Sequence, residues 1–303
     1  MEITNIQAFQ SNIQWYPGHM TKARRMMEEN LKLVDILIEL LDSRIPFSSK
    51  NPDIDGLAKN KHRITVLNKA DLANPAANEA WRRHYEALGH HVVAANSVAG
   101  KGLDDIVRAA YELMAEKIER QKARGRINVP IRAMIVGIPN VGKSTIINKY
   151  AKKQVCKVAD RPGVTRGKQW IKIRDDFELL DTPGILWPKF DNKLVGLNLA
   201  YTGAINDDIL NIETLATDFI ASISIVAPDS IKGRYGVELA DIPEQTLEDI
   251  ARARNFLTHK GEADTKRASV ILLDEFRAAA LGRITLELPE NSLEIDREDD
   301  RNG

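Results

Sequence analysis

Cysteine, net charge and long apolar runs are what this sequence lacks, and each absence narrows its class. The one cysteine, Cys156, excludes an intramolecular disulfide and any cysteine-cluster metal site, and reads as an incidental core thiol in a reducing compartment. No apolar run approaches the roughly 18 residues needed to span a bilayer, so no membrane is expected as a partner. The first ten residues, MEITNIQAFQ, carry neither a basic-then-apolar leader nor an Arg-rich transit pattern, which makes the cytoplasm the expected compartment. Lys plus Arg and Asp plus Glu balance at 43 each, so global charge makes no case for nucleic acid. Aromatics supply only 6% of the chain, but 43% is hydrophobic, enough for an ordinary α/β core. The 303 residues allow one large or two modest domains, and they contain no internal repeat.

Charge is uneven locally. Residues 117–132 carry Lys117, Arg120, Lys122, Arg124, Arg126 and Arg132 against the single acid Glu119. Such a run reads first as a solvated face or linker, with RNA contact as the second reading. Residues 291–303 reverse the sign, with Glu294, Asp296, Glu298, Asp299 and Asp300 against Arg297 and Arg301, and read as a disordered acidic tail.

Hydrophobic patterning alternates between strands and helices over the first two thirds. Residues 34–41 form a compact apolar run, as expected of a parallel strand buried on both faces, and 63–67, 92–95 and 131–136 read as further strands. Between them, residues 20–33, 78–88, 102–120 and 143–152 have helical spacing, with Gly89 closing the second of these helices. Residues 169–173 and 177–180 form an expected hairpin around Asp175-Asp176. After residue 188 strand-like runs nearly vanish, and 209–226, 245–259 and 272–280 read as helices. The expected fold is therefore α/β, a doubly wound, mostly parallel phosphate-loop sheet followed by an all-helical C-terminal domain. The expected division is 1–195 for the sheet domain with its N-terminal arm, 196–290 for the helical domain, and 291–303 for the acidic tail.

Three motifs carry chemistry, and their order is unusual. Asn68-Lys69-Ala70-Asp71 fits the NKxD pattern that reads guanine, yet it precedes the phosphate loop Gly137-Ile138-Pro139-Asn140-Val141-Gly142-Lys143-Ser144. Asp181-Thr182-Pro183-Gly184 follows the loop. Most GTPases run phosphate loop, switch threonine, DxxG, NKxD, so this order is that of a circularly permuted GTPase. In the loop, Asn140, Val141, Gly142, Ser144 and Thr145 would surround the phosphates with backbone amides at a helix N-terminus. Lys143 would bridge the β- and γ-phosphates, and Ser144 would ligate Mg²⁺. Asp181 would hold Mg²⁺ through a water, the Gly184 N–H would meet the γ-phosphate, and Thr165 stands where a switch threonine and Mg²⁺ ligand belongs. The Asp71 carboxylate can accept from both N1–H and the exocyclic amine of guanine; adenine would leave that acceptor unpaired. Asn68 would brace the base loop, the Lys69 stem would cover the ring, and Ser97 and Val98 would bring a backbone N–H to the guanine oxygen.

Catalysis needs a further group. Ile185 follows DxxG where Ras-like switches place a water-orienting glutamine, so the isolated protein should hydrolyse GTP slowly. Asn140 has two readings, a loop-shaping residue or, as in GTPases with a GxPNxGKS loop, a ligand for K⁺ beside the phosphates. His19, within Gln14-Trp15-Tyr16-Pro17-Gly18-His19-Met20, is either ordinary surface or a catalytic group on an arm stiffened by its neighbours.

Taken together, the WYPGHM arm, Asp42-Ser43-Arg44-Ile45-Pro46, NKAD, GIPNVGKST, PGVT and DTPGI, in that order, resemble the ribosome biogenesis GTPase A family. The resemblance extends to Arg277 and Leu281-Gly282-Arg283-Ile284. It implies a permuted GTPase domain, a helical RNA-binding C-terminal domain, K⁺ dependence, His19 as the catalytic histidine, and late maturation of the large (50S) ribosomal subunit with hydrolysis stimulated by that subunit. rRNA and ribosomal proteins are then the expected partners of a monomer. The alternative from a different class is an RNA-binding assembly placeholder for which hydrolysis is incidental.

Overall fold

The computed structural model describes residues 20–126, 130–151, 169–182 and 192–290. Six strands form one sheet in the order β3-β2-β1-β4-β6-β5. In chain order these are β1 (Ile36–Asp42), β2 (His62–Asn68), β3 (His91–Ala95), β4 (Ile131–Gly137), β5 (Gln169–Arg174) and β6 (Phe177–Asp181). All neighbouring pairs run parallel except β5 and β6, the hairpin expected around Asp175-Asp176. The compact apolar run of β1 is explained by cover on both faces, every one of its residues being buried.

Helices α1 (Met20–Leu31), α3 (Pro75–Ala87), α4 (Leu103–Ala123) and α5 (Lys143–Ala151) supply that cover, with a short α2 (Asp53–Leu57). On one face Met27 and Leu31 of α1 pack with Leu37, Met134, Val136 and Leu180. On the other, Ile106, Val107, Ala110 and Met114 of α4 join Ile38, Ile64 and Ile135. Helix α3 begins three residues earlier than its periodicity implies. Asn74 caps it by accepting from Ala76 N at 2.9 Å and Ala77 N at 3.2 Å, and Pro75 occupies the first turn. Gly89 follows with φ 83°, as a helix-terminating glycine does.

The rest of the chain is helical. Helix α6 (Lys193–Tyr201) is buried from Leu194 to Tyr201, and the expected division at residue 195 falls inside it. Helices α7 (Ile212–Val226), α9 (Pro243–Ala253) and α10 (Thr265–Arg277) pack together beyond it, with α8 (Asp229–Tyr235) as a short connector. The rings of Tyr201, Phe219 and Phe276 meet at centroid distances of 5.2 and 4.7 Å. Two expected helices have different bounds. Asn255 at φ 55° and a turn bridged at Leu257 and Ala263 end α9 early, whereas α10, capped by Asp264, begins at Thr265, seven residues before the expected start. After α10 the chain returns to the sheet, and Leu286 N donates to Arg44 O at 2.8 Å. One buried cluster consequently runs from Ile36 through the helices to Leu286. Among the described residues no single helix is long and apolar enough to cross a membrane.

Candidate nucleotide site

Strands β1, β2 and β3 are laid down in one direction from the sheet centre, and β4 then β6 in the other. The order reverses between β1 and β4, and ligands of doubly wound sheets bind at the carboxyl ends beside such a reversal. The residues at those ends are Asp42, Asn68, Ala95, Gly137 and Asp181. Registers Asp42↔Asn68, Asn68↔Ala95 and Leu40↔Gly137 bring the ends of β1 to β4 together. Permutation has thus changed the order along the chain while the motifs meet at one sheet edge.

The phosphate loop leaves β4 under tight steric constraint. At Gly137 (φ 153°) a Cβ would lie 2.7 Å from Leu40 O, and at Gly142 (φ 110°) it would lie 2.3 Å from Asn68 Nδ2. Only glycine lets the loop lie so close to β1 and to the base motif. Helix α5 starts at Lys143, with Ser144 and Thr145 half-buried in its first turn, where backbone amides and the helix dipole favour an anion. Lys143 is buried, and its ammonium donates to Gly137 O at 2.9 Å and Ile138 O at 2.7 Å. Burial pulls its pKa down to about 8, against an opposing pull from Asp181. Asp181 is itself 1% exposed at the end of β6, and Thr182 Oγ1 donates to Ile135 O at 2.6 Å.

Asn68 joins the two halves of the site. Its Nδ2 donates to Val141 O in the phosphate loop at 2.6 Å and to Ser97 Oγ at 3.2 Å, while Oδ1 accepts from Ser97 N at 3.1 Å. Lys69 adopts a left-handed φ of 60°, and its ammonium lies 3.0 Å from Asp42 Oδ2. That ion pair ties the base loop to the end of β1. Asp71 is exposed, as is Val98, whereas Ser97 is buried. The structure therefore gathers Asn68, Lys69, Asp71, Ser97, Val98, Asn140, Val141, Gly142, Lys143, Ser144, Thr145 and Asp181 at one edge. His19, Thr165 and Gly184 lie outside the described residues.

Several participants sit in motifs whose partners leave no local signature. Asp42 takes both Arg44 Nε at 2.9 Å and Arg44 Nη2 at 2.7 Å, besides Lys69. Burial alone would raise the Asp42 carboxyl, but the Arg44 and Lys69 charges outweigh it and hold it well below the usual range. Arg44 reaches onward to Arg277 O at 3.3 Å and stacks over Phe276 at 5.4 Å. Arg277 in turn donates to Ala200 O and Tyr201 O, both at 3.0 Å, and forks onto Asp207. Asn140 Nδ2 donates to Gly203 O at 2.8 Å, so the phosphate loop touches the turn after α6. The motif Asp42-Ser43-Arg44 was visible in the sequence, but nothing nearby in the chain indicated that α10 is its partner.

The Ser144 hydroxyl and Asp181 carboxylate are hard oxygen donors of the kind Mg²⁺ takes. No group of three His, Cys, Asp or Glu side chains suited to a metal occurs among the described residues. A divalent ion here would draw its remaining ligands from phosphate oxygens, hydroxyls and water.

Comparison with known proteins agrees with this geometry. A family model described as a 50S ribosome-binding GTPase matches residues 132–248, beginning at the phosphate-loop strand and leaving the base motif outside. The chain is 48% identical to ribosome biogenesis GTPase A of Bacillus licheniformis, over 92% of this chain and 99% of that protein. It is 30% identical to mitochondrial ribosome-associated GTPase 1 of Bos taurus, over 90% of this chain and 88% of the relative. Among solved structures it resembles GNP-bound YlqF from T. maritima, with TM-score 0.64 and 26% identity, covering 89% of this chain and 99% of that one.

Proposed function

The chain belongs to the ribosome biogenesis GTPase A family and is a GTP-hydrolysing enzyme of ribosome assembly, and we propose that it times late maturation of the large subunit. The observation that supports this reading is the position of Asn68, whose amide joins the NKxD loop, Ser97 and the phosphate loop in a permuted chain. Asp71 reads guanine N1–H and the exocyclic amine, and the Lys69 stem covers the ring. Lys143, whose pKa burial lowers to about 8, is held in its charged form when the β- and γ-phosphates approach its ammonium. Amides at the start of α5 take the β-phosphate. Ser144, Thr165 and Asp181 hold Mg²⁺, which offsets phosphate charge, and Gly184 meets the γ-phosphate.

Ile185 cannot orient water, so the arm bearing His19 supplies the missing group once the large subunit seats it. Asn140 contributes its side-chain oxygen to K⁺, and the helical region 196–290 supplies RNA contacts. The protein acts as a monomer in the cytoplasm. A timer requires the subunit to prefer the GTP state, since a ligand that binds both states equally shifts nothing.

GTP turnover with and without purified large subunits, in potassium and then in sodium, tests this. Strong stimulation by the subunit, larger in potassium, is expected. His19→Ala should bind GTP normally yet lose at least about tenfold in stimulated turnover, roughly 1.4 kcal/mol of barrier. Tight GTP-dependent binding without stimulation would instead support the placeholder reading, which the absence of a glutamine after DxxG favours.

A further inference from the structure

Residues 283–287, the stretch that follows the last helix, lie along the back of the base-reading loop. Arg283 Nε donates to Ala73 O at 3.1 Å and Arg283 Nη2 donates to Ala70 O at 3.1 Å. These two carbonyls bracket Asp71, one residue before it and two after. Thr285 Oγ1 accepts from Asn74 N at 3.0 Å, the residue that caps α3 directly after the loop. Leu286 N donates to Arg44 O, beside the Asp42 carboxylate that anchors Lys69. The far end is locked more firmly. The buried Glu287 carboxylate accepts from Phe47 N at 2.8 Å, from Ser48 N and Oγ, and from Asn198 Nδ2 at 2.9 Å, while Glu287 O accepts from Trp81 Nε1 at 2.9 Å.

We infer that Arg283 is a positioning residue for guanine recognition, the C-terminal segment forming an outer wall of the base pocket. The loop has few internal ties. Ala70 N bonds Ala95 O, Asn78 Nδ2 bonds Ala70 O, and Leu72 N closes a turn on Lys69 O. Asp71 itself is exposed, so the direction of its carboxylate depends on where the backbone on either side is held. A guanidinium is suited to this because its planar fork reaches two carbonyls at once, which a lysine ammonium cannot do in the same geometry. The segment thus governs the half of the site that discriminates bases, through the hydrogen bonds of Arg283 to the carbonyls on either side of Asp71.

The inference rests on Asp71 being the base reader, and the test separates the two. Binding of GDP, inosine diphosphate and xanthosine diphosphate is measured for the full chain and for Asp71→Asn, Arg283→Ala, Arg283→Lys and Thr285→Val, each alongside a melting curve. Inosine diphosphate lacks only the exocyclic amine that the second carboxylate oxygen would accept. Arg283→Ala should lower the preference for GDP over inosine diphosphate by about threefold or more, a loss of discrimination rather than of phosphate binding. Arg283→Lys should fall between it and the parent, and Thr285→Val should shift the preference in the same direction if Arg283→Ala folds poorly. An unchanged preference in folded Arg283 and Thr285 variants, with or without a lower melting temperature, would overturn the inference. Failure of Asp71→Asn to gain xanthosine diphosphate binding would instead overturn the underlying reading of the loop.

Discussion

Asn68 shows how much of this site depends on one side chain. Its amide is wholly buried and serves three partners, and Ser97 N and Val141 O would be left without it. Asn68→Ala should cost about 3 kcal/mol of stability by chemical denaturation, since buried groups that lose partners carry their full desolvation cost. GDP affinity should fall with it. His90 offers a second test, far from the site. Its ring stacks on Tyr85 at 5.6 Å and shares a hydrogen bond with Thr65 Oγ1 at 2.9 Å. Burial, with Arg63 and Lys50 nearby, lowers its pKa to about 4 from an ordinary 6.5. The unfolded chain therefore binds more protons between those values, and stability falls as pH drops through that window. Melting temperatures between pH 7.5 and pH 4.5 should show this loss, and His90→Gln should remove about 1 kcal/mol of it.

At the scale of elements, α3 ties the base loop to the C-terminal segment through Asn74. Its side chain caps the helix and its backbone N–H meets Thr285. Asn74→Ala should cost about 1 kcal/mol in denaturant midpoint analysis, the ordinary cost of a lost cap. The central strands were legible in the sequence because parallel strands covered on both faces keep no polar side, and β1 shows that cover at every residue. The β5–β6 hairpin was equally clear from its paired turn acids. The true start of α3 was missed because Asn74-Pro75 is a cap signal, not a periodic one. The shortened α9 was missed because Asn255 turns left-handed without a glycine to mark it. Contacts of Arg44 with Arg277, or of Arg283 with Ala70, join residues more than two hundred positions apart and leave no local pattern at all.

Across the whole molecule, the sheet and the C-terminal helices share one buried cluster, with α6 inside it. Scanning calorimetry of the full chain should accordingly give a single cooperative unfolding transition, and two well-separated peaks would contradict a shared core. Arg277 strengthens that expectation, since it fastens α10 to the end of α6 while its own carbonyl receives Arg44 from the sheet.

The return of Leu286 to Arg44, and of Thr285 to Ser43 across 242 residues, also governs when the protein becomes competent. Closing so long a loop comes late in folding, because its entropy must be spent before the contact rewards it. During synthesis the base-reading strands emerge well before residues 283–287 and stay without that outer wall until this segment has left the exit tunnel. A nascent chain halted before residue 283 has its phosphate loop but lacks the Arg283 contacts behind Asp71, so selective guanine binding should appear only once residues 283–287 have emerged.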